Sequence, residues 1–160
     1  MDKVKTQDEL LERVKAERIS GKKIGFTNGC FDIIHAGHVK YLEAAKKECD
    51  ILIVGVNSDE SVKRLKGEAR PVNDSGDRTA VLAALESVDF VVIFEEDTPE
   101  NIIKIISPGM IFKGGDWDES SIVGADHVKA NGGKVKVVSY VAGYSTTELI
   151  EKIKGNAKEK

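Results

Sequence analysis

At 160 residues, with 41% hydrophobic and 32% charged side chains, the chain suits one well-packed globular domain and is too short for two ordinary ones. No apolar stretch approaches the roughly 18 residues of a membrane span, and a net charge of -3 lacks the basic footprint of a nucleic-acid binder. The opening MDKVKTQDELLERVKAER mixes charges throughout and reads neither as a signal nor as a transit peptide. A cytoplasmic protein is therefore expected, with no membrane partner and with Cys30 and Cys49 both reduced.

In chain order, Thr6 and Glu9 stand at capping-box spacing ahead of Leu10, Leu11 and Val14, which predicts a helix ended by Gly21. Apolar runs at 23–27, 51–56, 89–94, 110–113 and 134–139 predict strands. The runs at 51–56 and 89–94 are nearly continuous in hydrophobicity, as strands covered on both faces of a parallel sheet are. Between the runs, Val39, Leu42, Ala45 and Cys49 share a helical face after Gly37, and Val81, Leu82 and Leu85 follow Asp77 and Arg78. Thr98-Pro99 supplies an N-cap with proline at the first helical position, and Pro108-Gly109 ends that helix. Asn131-Gly132-Gly133 closes another, and a last helix is expected from about Thr146 to Ile153. Strands alternating with helices predict one α/β domain over 1–154, a Rossmann-like, doubly wound, five-stranded parallel sheet, with 155–160 as a frayed tail.

In such sheets ligands bind beyond the carboxyl ends of the strands, so polar residues and glycines after strand ends are the candidates. The first strand is followed by Asn28-Gly29-Cys30-Phe31-Asp32-Ile33-Ile34-His35-Ala36-Gly37-His38. Two of the three histidines in the protein thus lie at the mouth of a helix, with Gly37 between them to let a ligand approach the backbone. Free N–H groups and the dipole at a helix start favour phosphate, and two imidazoles there can hydrogen-bond phosphoryl oxygens as charge develops. Two surface histidines in a turn is the plainer alternative. A zinc site from Cys30, His35, His38 and Cys49 is a third, against which the cysteine spacing speaks.

After the second strand come Asn57 and a basic stretch containing Lys63, Arg64, Lys66, Arg70 and Arg78. A solvated helix face accounts for Lys63 and Arg64, whereas Lys66 and Arg78 lie beside loop–helix junctions and are candidate phosphate ligands. After the fourth strand, Lys113-Gly114-Gly115-Asp116-Trp117 pairs glycines with a carboxylate and the only tryptophan, suited to a sugar or a base; a turn with a packed aromatic is the alternative. Gly143-Tyr144-Ser145-Thr146-Thr147 opens the last helix with more hydroxyls than one N-cap needs, and Ser145, Thr146 and Thr147 are candidates for holding phosphates. His127 falls inside a helix and reads as structural.

GCFDIIHAGH resembles the signature of the HxGH nucleotidyltransferase superfamily, whose members transfer a nucleotidyl group from a nucleoside triphosphate and release pyrophosphate. That resemblance implies triphosphate contacts at Cys30, Phe31, His35 and His38, with Lys66 and Arg78 acting on the phosphates. It implies further nucleotide contacts at Gly37, Gly114, Asp116, Trp117, Ser145, Thr146 and Thr147, and substrate contacts at Asp32, Asn57 and Lys66. Taken with VNSDESVKRLKG, RPVN, KGGDW, IVGAD and VAGYSTTELI, the chain is similar, from about residue 6 to 153, to the heptose 1-phosphate adenylyltransferases of ADP-heptose synthesis. The length is that expected of the stand-alone form of this activity, without the kinase half of bifunctional relatives.

The implied reaction joins ATP and D-glycero-manno-heptose 1-phosphate. Mg²⁺ would be held mainly by the triphosphate, with no metal bound by the protein itself. Two other readings stay open: a cytidylyltransferase for glycerol phosphate or a related alcohol phosphate, and a non-catalytic ATP-binding module. Against the CTP reading, Tyr140-Val141-Ala142 lacks an arginine–threonine pair and Leu149-Ile150 lacks a basic residue that such relatives carry. A homodimer is the assembly left for test.

Overall fold

The computed structural model describes residues 2–115, 117–139 and 145–157. Thr6 caps the first helix, α1 (Gln7–Ile19): its backbone N–H donates to Glu9 at 2.9 Å, and its side chain accepts the Glu9 N–H at 3.3 Å. Leu10 and Val14 are fully buried, each burial contributing about 1.5–3 kcal/mol. Gly21, at φ 77, then turns the chain into β2 (Ile24–Gly29).

The remaining elements are α2 (Ala36–Lys46), β3 (Ile51–Asn57), α3 (Asp59–Lys66), α4 (Ser75–Ala84), β4 (Phe90–Phe94), α5 (Glu100–Ile106), β5 (Met110–Gly114), α6 (Ala125–Ala130), β6 (Lys134–Val138) and α7 (Thr146–Ala157). A two-residue strand, β1 (Val4–Lys5), precedes α1, and a 3₁₀ turn spans Glu119–Ser121. All strands are parallel, in the order β1-β4-β3-β2-β5-β6. The Rossmann-like α/β fold read from the sequence is the fold observed.

Among the described residues the sheet has six strands where five were expected. The sixth is β1, which adds Val4 and Lys5 to the edge beside Val91 and Val92. Two residues are too few for any periodicity to register. The Lys3 ammonium, donating to the Leu85 carbonyl at 2.9 Å, helps fasten this strand.

Every residue of β3 is buried, as its unbroken apolar run requires of a central strand. Its side chains divide by period two. Ile51 and Ile53 join Leu10, Ile102, Ile106 and Val128 on the face covered by α1, α5 and α6, while Leu52, Val54 and Val56 join Leu42, Ala45 and Leu82 under α2 and α4. One expectation on α4 fails, since Val81 is 47% exposed; Leu82 is buried, and Leu85, the C-cap residue, packs against the same core. The cap of α5 is Pro99 rather than Thr98, and α7 continues past Ile153 to Ala157.

Strand order reverses at β2: the chain proceeds from β2 to β3 and β4 on one side, then crosses to β5 and β6 on the other. The carboxyl ends of β2 and β5 therefore flank the switch point, where a parallel sheet opens a crevice because successive crossovers leave in opposite directions. The segment 30–38 follows β2 there, and Gly115 follows β5. At the opposite, amino-terminal edge a groove of about 650 Å³ is bordered by Arg18, Lys22, Lys23, Glu48, Ser107 and Lys134.

Candidate active site

The chain leaves β2 through a tight turn. Phe31 adopts φ 47, a left-handed conformation uncommon for a bulky residue, and its side chain is buried in the α2 face of the core. A Cβ at Gly29 would approach that ring to 3.1 Å, so any larger residue there would have to push the ring aside by a few tenths of an ångström. His35 is the N-cap residue of α2. Its backbone N–H donates to His38 Nδ1 in a long bond of 3.4 Å, and the two imidazoles stack with centroids 3.8 Å apart. Phe31 closes on the other side of His38 with a tilted contact of 5.4 Å.

This packing sets the chemistry of both histidines. Burial, and then the neighbouring His35, push the His38 pKa down to about 4, and burial lowers that of His35 as well. Both rings are thus neutral at pH 7. Because His38 Nδ1 accepts the His35 N–H, the proton of the neutral ring sits on Nε2, which makes that atom a hydrogen-bond donor. A fixed neutral donor at a helix start is suited to a phosphoryl oxygen and gives up no proton on binding it.

Cations converge on the same turn. Burial raises the pKa of the Cys30 thiol, against the opposing fields of Lys66, Arg78 and Arg70. Lys113, on β5, has its ammonium 5.5 Å from the centre of the Trp117 ring, and burial lowers its pKa. Gly115 turns at φ 111, and Trp117 Nε1 donates to the Gly114 carbonyl at 3.2 Å, which holds the half-exposed indole against the strand end. Asp116 lies outside the described residues, as do Gly143 and Tyr144.

The three hydroxyls at the start of α7 separate. Ser145 Oγ accepts the Glu148 N–H at 3.5 Å as a cap, Thr146 Oγ1 donates to the Ile33 carbonyl at 3.4 Å, and Thr147 is exposed. The Thr146 bond spans 113 residues of sequence and brings this helix start onto the His35–His38 loop. Cys30, Phe31, His35, Gly37, His38, Lys66, Lys113, Gly114, Trp117 and Thr146 thus gather at one end of the sheet.

Three expected contact residues have partners inside the chain. Arg78 is buried: Nη1 donates to the Cys30 carbonyl, and Nη2 to the Asn57 carbonyl at 2.8 Å and Asp59 at 2.7 Å. It ties the turn after β2 to the end of β3 and the start of α3. Asn57 is buried and donates to Ser61 Oγ at 3.0 Å. Asp32, 3% exposed, accepts Arg70 Nε at 2.5 Å and the backbone N–H groups of Val72 and Asn73 at 2.8 and 2.9 Å. Burial would raise the Asp32 pKa, but these donors outweigh it and hold the carboxyl below its ordinary value.

Arg70 and Asn73 were not singled out from the sequence. The available signal was RPVN, a basic residue ahead of a proline turn between two helices; nothing local shows that its partner lies 38 residues upstream. The zinc alternative finds no support in the geometry, because among the described residues no three His, Cys, Asp or Glu side chains gather around a common point. Ser107 Oγ lies 3.4 Å from His127 Nε2, away from the switch point.

A parallel sheet with paired imidazoles, a cationic turn and a hydroxyl-bearing helix start at its switch point defines a nucleotidyltransferase of Rossmann-like architecture. Residues 26–152 match the cytidylyltransferase-like family, and the chain belongs to it. The bifunctional protein HldE of Geobacter metallireducens is 52% identical over 151 residues, 94% of this chain and 31% of that protein. HldE of Marinomonas sp. is 55% identical over 144 residues, 90% of this chain and 30% of that protein. The chain therefore spans about a third of the length of these relatives.

The crystal structure of the lipopolysaccharide core biosynthesis protein from Thermoplasma volcanium aligns with a TM-score of 0.62 at 30% identity, over 76% of this chain and 98% of that one. Pantoate–β-alanine ligase from Francisella tularensis shares the fold at a TM-score of 0.59 and 15% identity, over 91% of this chain and 74% of that one. Among the described residues no helix is long and apolar enough to cross a membrane.

Proposed function

We propose that the chain joins ATP and D-glycero-manno-heptose 1-phosphate to give ADP-heptose and pyrophosphate. The observation that carries this reading is the identity above 50% to HldE across nine-tenths of the chain, joined to the stacked His35–His38 pair at the switch point. The sugar phosphate oxygen attacks the α-phosphorus in line, and pyrophosphate leaves. A phosphate monoester is already a nucleophile, so the site needs no general base, only alignment and charge stabilisation.

In this reading His38 Nε2 and the His35 ring meet the phosphoryl oxygens. Lys66 and Lys113 face the developing negative charge, and the start of α7, with Thr146 and Thr147, holds the far end of the triphosphate. Trp117 offers its exposed face to the base or the sugar, and Asp116 belongs to the same turn in sequence. Arg78, Asp32 and Asn57 act one step back, by fixing the turn that carries Cys30 and Phe31. Mg²⁺ fits as an ion held by triphosphate oxygens and water, since the nearest carboxylate of the turn, Asp32, is already taken up by protein donors; bound there it would neutralise phosphate charge. The reading places the chain where ATP is kept, in the cytoplasm.

The test is pyrophosphate release by the purified chain across ATP and CTP, each offered heptose 1-phosphate and glycerol phosphate. Release with ATP and heptose 1-phosphate is expected. Release confined to CTP with glycerol phosphate would replace the heptose reading with the cytidylyltransferase one, and ATP binding without release on any acceptor would leave a binding module.

A further inference from the structure

Two anions must meet at this site: the acceptor phosphate and the α-phosphate it attacks. Their approach requires a cation with an open, directed hydrogen-bonding face on the acceptor side. The guanidinium groups near the turn differ in what they have left to offer. Arg78 is fully enclosed, its Nη groups occupied by two carbonyls and Asp59. Arg64 is engaged by Asp97 and the Glu95 carbonyl. Arg70 is bound through Nε alone, to Asp32, and neither of its Nη groups hydrogen-bonds to another described residue.

Arg70 is nonetheless firmly placed. Its partner carboxylate is 1% exposed and is fixed by the Val72 and Asn73 N–H groups, and the Asn73 side chain adds a bond of 2.6 Å to the Asp32 carbonyl. The Arg70 side chain keeps 18% of its surface open, and its charge reaches the Cys30 thiol, the point on which Lys66 and Arg78 also bear. A guanidinium gripped at Nε has its rotamer cost already met and presents two parallel N–H donors, the geometry that matches two oxygens of a phosphate.

We propose that Arg70 is the acceptor-binding residue: Asp32 grips its Nε so that both Nη groups receive the phosphate monoester of the second substrate. The inference rests on the transferase reading above for the identity of that substrate, but not for its chemical class. Lysine at this position keeps the charge and loses the fork, so Arg70→Lys separates directed recognition from bulk electrostatics.

Two measurements test it on the whole chain, beginning with pyrophosphate release kinetics. Arg70→Lys should raise the acceptor KM by roughly 10- to 100-fold, the span of a charge-assisted hydrogen-bond pair, while the ATP KM moves by less than about 2-fold. An unchanged acceptor KM, or an equal rise in both KM values, would overturn the assignment. The second needs no turnover: thermal unfolding with a saturating non-hydrolysable ATP analogue, then with added inorganic phosphate as an acceptor mimic. Wild type should gain a further stabilisation from phosphate that Arg70→Ala loses while keeping the gain from the nucleotide analogue. A phosphate gain kept by Arg70→Ala, or absent from wild type, sinks the inference. Should heptose 1-phosphate fail as substrate while the phosphate gain still depends on Arg70, the choice of sugar falls and the acceptor site stands.

Discussion

The two ends of the sheet both gather basic side chains, yet only one carries the marks of a reaction centre. The amino-terminal groove of about 650 Å³ collects Arg18, Lys22, Lys23 and Lys134. Much of its charge is spent locally: Arg18 donates to the carbonyls of Ile106 and Ser107 at 2.6 and 2.9 Å, and Lys22 pairs with Glu17 at 2.7 Å. The carboxyl-terminal edge instead holds half-buried groups whose pKa burial lowers, His35, His38 and Lys113, beside a buried carboxylate that locks a neighbouring loop. Volume and positive charge do not distinguish a site; desolvated polar groups fixed in one arrangement do.

The comparison can be broken by variants on either edge. The largest effect is expected from Asp32→Ala, which leaves Arg70 unpaired in a partly buried position and frees the N–H groups of Val72 and Asn73. Urea unfolding should show a loss of about 3–5 kcal/mol, and a loss below about 1 kcal/mol would mean the latch is incidental. Next, His35→Ala and His38→Ala should each lower turnover by about 100-fold or more with circular dichroism unchanged. Near-normal pyrophosphate release by both would remove the reaction from this edge.

Acid stability offers a smaller and more specific test. The folded-state pKa of His38 lies near 4, below the ordinary value near 6.5, so the unfolded chain takes up a proton that the folded chain resists. Stability should be complete above pH 6.5 and decline as pH falls toward 4, a slope that His38→Gln flattens. Asp32, held below its ordinary value, contributes above about pH 3.9 and loses its contribution as pH falls further. Urea midpoints measured from pH 7 to 3 read both windows. Least is expected of Arg18→Ala on the amino-terminal edge: about 1 kcal/mol of stability for the lost carbonyl contacts and pyrophosphate release within about 2-fold of wild type. A large loss of turnover there would erase the distinction between the edges.

Patterns confined to neighbouring residues were legible without coordinates. The capping box at Thr6, the continuous apolar run of β3, the glycine turn after β5 and the pair of histidines flanking Gly37 all act within a few positions of themselves, and each stands where its spacing implied. Misses occurred where burial depends on distant partners. Val81 has the spacing of a core residue but points outward, because the sheet face reaches α4 only at Leu82 and its neighbours. Arg78 and Asn57 have the composition of ligand contacts, and what no local pattern shows is that Arg78 donates to the Cys30 and Asn57 carbonyls and to Asp59, and Asn57 to Ser61.

The sequence by itself thus determined the alternation of strands and helices, the parallel sheet and the loop that carries the two imidazoles, because hydrophobic period, caps and turn residues are local. Only the tertiary structure decided which cations remain available. A lysine or arginine reads the same in sequence whether its donors meet carbonyls, a carboxylate or open space. The choice between Arg78, closed, and Arg70, gripped and open, is made by segments dozens of residues apart that meet only when the sheet reverses its order at β2.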